Sequence, residues 1–177
     1  MMQLRYFARG LGLALALAPA TVIAQPGDSA TASGTAQAEV PELGRLTHLR
    51  DLRFGAFMQP TAAGTLVIAP DGTATGTGQI AAGMTIPQPP EGRGPALFRL
   101  DGTANRAFVA NLPNRITISN GSATMQVRNI TTNMRNGSNR FDASGIFMLW
   151  VGGTLQVAAN QAPGEYSGNF QVTVIFQ

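Results

Sequence analysis

Apolar and polar side chains alternate most regularly in residues 163–177, which read as a tight turn followed by one long β-strand. Alternation with a period of two predicts a strand with one buried face. The opposite face of this strand is polar except for Ile175. An unpaired apolar edge promotes aggregation, so we expect the strand to be held in a sheet and to be a candidate assembly strand. Its turn and apolar-face residues are Gly164, Tyr166, Gly168, Phe170, Val172, Val174 and Phe176.

Short apolar segments separated by turn residues continue through the rest of the chain. Asp71-Gly72 and Asn120-Gly121 are typical of hairpin turns, and Gly152-Gly153 predicts a bulge or a bend. No helical period is visible outside the N-terminal segment. The pattern predicts one all-β domain, an immunoglobulin-like or pilin-like antiparallel β-sandwich of about nine or ten strands. Strands are predicted at 52–57, 64–69, 73–80, 96–100, 106–112, 115–119, 123–130, 146–151, 154–159 and 166–176.

The large aromatic side chains within these strands are predicted to form the core. Packing is a commoner role than ligand contact for such residues on the apolar side of a strand. The core candidates are Phe98, Phe108, Phe141, Phe147 and Trp150.

The N-terminal segment has the features of a secretory signal peptide. Arg5 and Arg9 precede a short apolar stretch, and small residues end at Ala24. We expect a signal peptide at 1–24, a flexible leader at 25–45 and the sandwich domain at 46–177. Export by the general secretory route would place the protein in the periplasm, at the cell surface or in the medium. No later apolar stretch is long enough to span a bilayer, so no membrane span is expected after cleavage.

Composition narrows the chemistry available to the chain. All twelve basic residues are arginines, and cysteine is absent, which excludes thiol redox chemistry and cysteine–metal sites. The arginines are spread singly along the sequence, whereas nucleic-acid binding needs clustered positive charge. We therefore expect no nucleic-acid partner.

The catalytic inventory of the sequence is equally small. His48 is the single histidine, and no Gly-x-Ser-x-Gly motif is present, so a serine–histidine–carboxylate triad would have to use His48. Asp71 and Asp101 each precede a glycine and are explained as turn residues. We predict no catalytic, cofactor-binding or metal-binding residues and no enzymatic activity. A hydrolase that uses His48 remains a third hypothesis.

Several short motifs resemble those of a family of exported bacterial proteins, the domain of unknown function 4402 family. The most specific are Val151-Gly-Gly-Thr-Leu155 and Pro163-Gly-Glu-Tyr-Ser-Gly168, and Arg53-Phe-Gly55 and Gly64-Thr-Leu-Val-Ile68 add to them. The resemblance covers residues 46–177. Because this family has no assigned activity, it implies a fold and not a function.

A looser similarity links the end of the chain to chaperone–usher pilus subunits. Phe176 is next to last, and Gly164 has the spacing from the end that a glycine has in those subunits. Two features depart from them. The chain cannot form the disulfide that many of them carry, and residues 25–38 lack the alternating bulky apolar side chains of a donor segment. The similarity implies like subunits or a periplasmic chaperone as partners.

Two functions follow as expectations. The first is a structural, surface or pilus-like subunit that acts through protein–protein contacts. The alternative is a periplasmic module that binds a small ligand or a carbohydrate, with the loop at 83–95 as a lid. That loop is rich in proline and glycine and longer than most connections between strands.

Overall fold

The computed structural model describes residues 44–135 and 138–177. The predicted signal peptide and almost all of the predicted leader lie outside the described residues. The elements are β1 Arg45–Arg50, β2 Gly64–Ile68, β3 Ala74–Gly76, α1 Gln79–Gly83, β4 Ala96–Asp101, β5 Ala107–Asn111, β6 Arg115–Ser119, β7 Thr124–Thr132, β8 Ser138–Arg140, β9 Ile146–Val157 and β10 Thr173–Phe176.

The strand β9 is the centre of a seven-stranded antiparallel sheet. Along one edge, its first half pairs with β4 and its second half pairs with β2. The opposite edge pairs with β7, since Thr154 lies between Val67 of β2 and Arg128 of β7. The strands β1, β3 and β6 extend the sheet beyond β4, β2 and β7 respectively.

A second sheet of three antiparallel strands, in the order β10-β5-β8, packs over the first half of β9. At its centre Phe108 is fully buried, with its ring 4.7 Å from that of Phe141 and 5.0 Å from that of Phe147. The all-β sandwich prediction is confirmed, as is the number of strands. The first core cluster consists of Ala96, Phe98, Leu100, Phe108, Ala110, Phe141, Leu149 and Val151.

The second half of the large sheet carries its own core cluster, which is covered by a short helix and two irregular segments. The helix is α1, and the segments contribute Phe54 and Phe57 on one side and Tyr166 and Phe170 on the other. The inner face of this half is therefore shielded by loops instead of by a facing sheet. The second core cluster consists of Leu66, Ile80, Ile116, Met125, Val127, Leu155 and Val157.

Two of the strands predicted in the first half of the chain are wrong. The return strand at 73–80 ends early, because Gly78 has a positive φ of 55°, and α1 follows and buries Ile80 completely. The segment 52–57 forms no strand, since Gly55 has a φ of 66° that interrupts an extended run. It makes a single bridge, between Arg53 and Gly94.

The two strands predicted at 146–151 and 154–159 are one continuous strand, β9. The register instead shifts on the facing strand, between Arg128 and Thr131 of β7. Both glycines of β9 lie against neighbouring backbone or side chains. A Cβ at Gly152 would overlap the carbonyl oxygen of Ile68, and one at Gly153 would lie 2.8 Å from Val127 Cγ1. The glycine pair thus allows close packing on both sides of β9.

Candidate functional site

The predicted assembly strand is divided between the two sheets. Ser167 bridges to Ser119 of β6 in the large sheet, with backbone hydrogen bonds of 2.9 and 3.0 Å. Six residues later, β10 pairs with β5 in the small sheet. One strand from 166 to 176 was therefore the wrong prediction, because the chain crosses from one sheet to the other. Gly168 allows the crossing, since a Cβ there would overlap the carbonyl oxygen of Thr117.

The seven residues predicted on the assembly strand therefore lie in different surroundings. Gly164 has a φ of 137° and lies beside Asn120. Phe170 packs against both core clusters and meets Phe98 edge-on, with ring centroids 5.9 Å apart. Phe176 stacks on Phe141, with ring centroids 5.8 Å apart. Of the others, Tyr166 packs on the second cluster, Val172 and Val174 pack on the first, and Gly168 lies at the crossing.

The Tyr166 hydroxyl anchors the crossing segment to its own turn. It donates a 2.7 Å hydrogen bond to the carbonyl oxygen of Ala162 and accepts a 2.9 Å bond from Gln161 Nε2. We expect Tyr166→Phe to lower the free energy of unfolding by about 0.5 to 1.5 kcal/mol, because the ring stays packed while two partners lose the hydroxyl. Urea denaturation would measure it, and a loss above about 3 kcal/mol would contradict this local role.

The outer edge of β10 pairs with no strand in the part of the chain that the structure describes. The Gln177 N–H donates to the Ala107 carbonyl across the ladder with β5. Because ladder bonds alternate in an antiparallel pair, the N–H groups of Val174 and Phe176 point away from β5. Ile175 is 57% exposed and Phe176 is 37% exposed at this edge.

A cavity of about 1110 Å³ opens between the segments 51–60 and 161–170. Its floor includes Ile116, Met125 and Val127, each at most 5% exposed. The walls already cover this apolar floor, so the cavity exposes little of the second core.

The loop at 83–95 is held against the segment 53–56. The Gln88 side chain makes two 3.0 Å hydrogen bonds with the backbone of Ala56. Its Nε2 donates to the Ala56 carbonyl, and its Oε1 accepts from the Ala56 N–H. Arg93 donates to the carbonyls of Phe54 and Ala56, and Arg53 and Gly94 exchange two backbone bonds. The loop forms part of the wall of two cavities, and its role as a lid stays a prediction.

The second of these cavities, of about 700 Å³, brings Arg93 of the loop together with Arg50 and Arg53, which precede it by about forty residues. Arg50, Arg53 and Arg93 line this cavity together with Trp150 and with the turn at 69–72. We call this the arginine–tryptophan cleft. Spacing along the chain gave no sign of it, because β1, the loop and β9 meet only in the folded sheet. Trp150 was predicted in the core, but it is half-buried and belongs to neither core cluster.

His48 has one acidic partner. Its Nε2 lies 3.0 Å from Asp51 Oδ1, and both side chains are more than half exposed. Its ring lies 5.3 Å from that of Phe98. Within residues 44–135 and 138–177, no group of three or more histidines and acids is placed to hold a metal ion. None of the helices in these ranges is both long and apolar enough to cross a membrane.

The fold and these sites define a class: an all-β sandwich of two antiparallel sheets, with an open strand edge and a cationic cleft. The chain belongs to the domain of unknown function family DUF4402, whose family model matches residues 45–176. This confirms the resemblance read from the sequence motifs. Searches of curated proteins and of solved structures found no match.

Proposed function

We propose that this protein is a non-enzymatic structural subunit whose copies associate by pairing the open edges of β10. The observation that carries the proposal is the position of β10 at the margin of the small sheet, with Ile175 57% exposed. Burying that side chain against a partner removes apolar surface from water. Export to the periplasm, the cell surface or the medium belongs to the same proposal and is supported by the pattern of residues 1–24.

The edge of β10 has no charge, proline or bulge to prevent strand addition. Proteins protect edge strands with charged side chains, prolines or bulges. Residues 171–177 contain neither a charged residue nor a proline, and the pairing of β10 with β5 is regular. The outward N–H groups of Val174 and Phe176 can therefore donate hydrogen bonds to the carbonyls of an added strand.

A second copy of this chain suits the edge better than a partner of opposite charge. Because β10 is uncharged, two copies can lie side by side without repulsion between like charges. In an antiparallel pair centred on Ile175, Val174 of one copy exchanges hydrogen bonds with Phe176 of the other. The two Ile175 side chains then lie opposite each other across a two-fold axis.

A single introduced cysteine tests this arrangement, because the chain has none of its own. We expect oxidised Ile175→Cys to form a disulfide-linked dimer, since facing residues of a non-hydrogen-bonded pair have Cα atoms about 4.5 Å apart. Met58→Cys is the matched control, because Met58 is also 57% exposed and lies away from β10. Non-reducing electrophoresis would measure the dimer, and equal cross-linking of both variants would refute the geometry.

A charge placed on the edge should abolish association. We expect Ile175→Lys to sediment as a monomer at concentrations at which the wild type and Met58→Lys associate, because a lysine disfavours strand addition. The side chain is exposed, so unfolding should change by less than about 1 kcal/mol. Sedimentation velocity over a concentration series measures the mass of the wild type and of both variants. A wild-type protein that stays monomeric throughout the series would overturn the proposal.

A further inference from the structure

The arginine–tryptophan cleft lies on the outer face of the large sheet, away from β10. Arg50 and Trp150 flank Leu97 on neighbouring strands, and the Arg50 guanidinium carbon lies 5.7 Å from the centre of a Trp150 ring. Asn133 holds the backbone that carries the indole. Its Oδ1 accepts a 2.9 Å hydrogen bond from the backbone N–H of Trp150, and its Nδ2 donates a 2.9 Å bond to the backbone carbonyl of Met148. The aromatic wall of the cleft is therefore fixed by the sheet.

The other two arginines of the cleft are Arg53 and Arg93. The bridge between Arg53 and Gly94 holds them near each other, because Arg93 directly precedes Gly94. Arg53 Nη1 lies 3.8 Å from the Glu91 carboxylate, and its Nε donates to the Glu91 carbonyl at 3.1 Å. Arg93 donates hydrogen bonds through Nε to the carbonyl of Phe54 and through Nη2 to the carbonyl of Ala56. Carbonyl oxygens orient a guanidinium without neutralising it, so the charge of Arg93 is available to the cleft.

The charges that face one another across the cleft are unequal. Three arginines line it, and Asp71 is the one acid among the lining residues that the structure describes. The Thr73 N–H donates to Asp71 Oδ1 at 2.9 Å, and this bond lowers the pKa of Asp71, which therefore stays ionised. Arg50 and Arg93 have no carboxylate within 4.0 Å in residues 44–135 and 138–177.

We propose that the arginine–tryptophan cleft binds a carboxylated ring compound of about disaccharide size, such as an acidic sugar. Guanidinium groups match the planar carboxylate with two parallel hydrogen bonds, and the indole and Pro70 and Pro95 supply apolar walls for a ring. The volume of about 700 Å³ is within the range of small-ligand sites. The site lies on a different sheet from β10, so binding and strand pairing can be tested separately.

Trp150 is the single tryptophan of the chain, so intrinsic fluorescence reports this cleft directly. Digalacturonate is the probe, the neutral digalactose is its uncharged counterpart, and inorganic phosphate is the third arm. We expect a saturable fluorescence change with digalacturonate that weakens in high salt, and none with digalactose. No response to digalacturonate, or an equal response to digalactose or to phosphate, would overturn the proposal.

Calorimetry on two arginine variants locates the binding without relying on the indole signal. Arg50→Gln should weaken digalacturonate binding about tenfold or more, because a charge-assisted pair is lost. Arg50→Lys keeps the charge but loses the two parallel donors of the guanidinium. Its affinity for digalacturonate should therefore lie between those of Arg50→Gln and the wild type. Arg45→Gln is the matched control, since Arg45 is also exposed and lies in β1 outside the cleft. Equal weakening by Arg45→Gln would show general charge attraction and refute the site.

Discussion

Replacing Phe108 with alanine is expected to lower the free energy of unfolding by about 3 to 5 kcal/mol, a large part of the roughly 5 to 15 kcal/mol by which a folded protein is stable. Phe108 is fully buried, and its ring contacts Phe141 and Phe147. It lies in β5, between β10 and β8, and packs on Phe147 of β9 in the large sheet. Removing the ring would leave a cavity at the centre of the first core cluster. Guanidinium chloride denaturation followed by circular dichroism measures the loss.

The neighbouring residue on the same strand is the control. Val109 points to the opposite, outer face of the small sheet and is only half-buried. Val109→Ala keeps the backbone of β5 and should cost about 1 kcal/mol or less. If the two variants were equally destabilised, burial between the sheets would not be what stabilises the small sheet.

The second large effect is expected at Gly145, immediately before β9. Its φ of 73° favours glycine, and a Cβ there would overlap the carbonyl oxygen of Gly102, which cannot move aside as a side chain can. The Gly102 N–H also donates to the Gly145 carbonyl at 2.8 Å. We expect Gly145→Ala to cost about 2 to 5 kcal/mol, the sum of backbone strain and forced separation of β4 from β9. Thermal and urea unfolding measure this loss.

Gly121 separates the two contributions to that loss. It has a positive φ of 92°, but a Cβ there would meet nothing within 4 Å. Gly121→Ala should therefore cost only the conformational strain, about 1 to 2 kcal/mol. A Gly145→Ala variant no less stable than Gly121→Ala would mean that the close approach of Gly102 is easily relieved.

Local sequence signals identified most of the strands, because turn chemistry and alternation act over a few residues. The Asp71-Gly72 hairpin forms between β2 and β3, with Gly72 at a φ of 90°. The Asn120-Gly121 turn joins β6 to β7. The buried aromatics Phe98, Phe108 and Phe141 were also predicted correctly. At these positions, local preference and tertiary packing favour the same structure.

The errors occur where distant parts of the chain decide the outcome. Residues 166–176 alternate as a single strand would, yet they cross between sheets, since Ser167 pairs with β6 and β10 pairs with β5. Alternation reports which side chains point inward, and it cannot report which of two cores receives them. The helix α1 has only five residues, too few for a helical period to be visible in the sequence.

The candidate sites divide in the same way. The apolar end of the chain could be recognised from the sequence, although which edge of β10 stays open depends on its pairing with β5. The arginine–tryptophan cleft had no local signal, because β1 and β9 contribute one residue each and the 83–95 loop contributes three. Arg93 is distant in the sequence from Arg50 and Arg53, and it comes close to them when the bridge of Arg53 with Gly94 forms.

By itself, the sequence determined the all-β class, the family, the main turns and the absence of cysteine chemistry. These properties depend on composition and on preferences within a few residues. Only the tertiary structure decided that β9 serves two core clusters, that the last segment joins both sheets, and that three arginines line one cleft with Trp150. The physical reason is that strand pairing and burial join residues far apart in the chain, and no local pattern records which partner each of them meets.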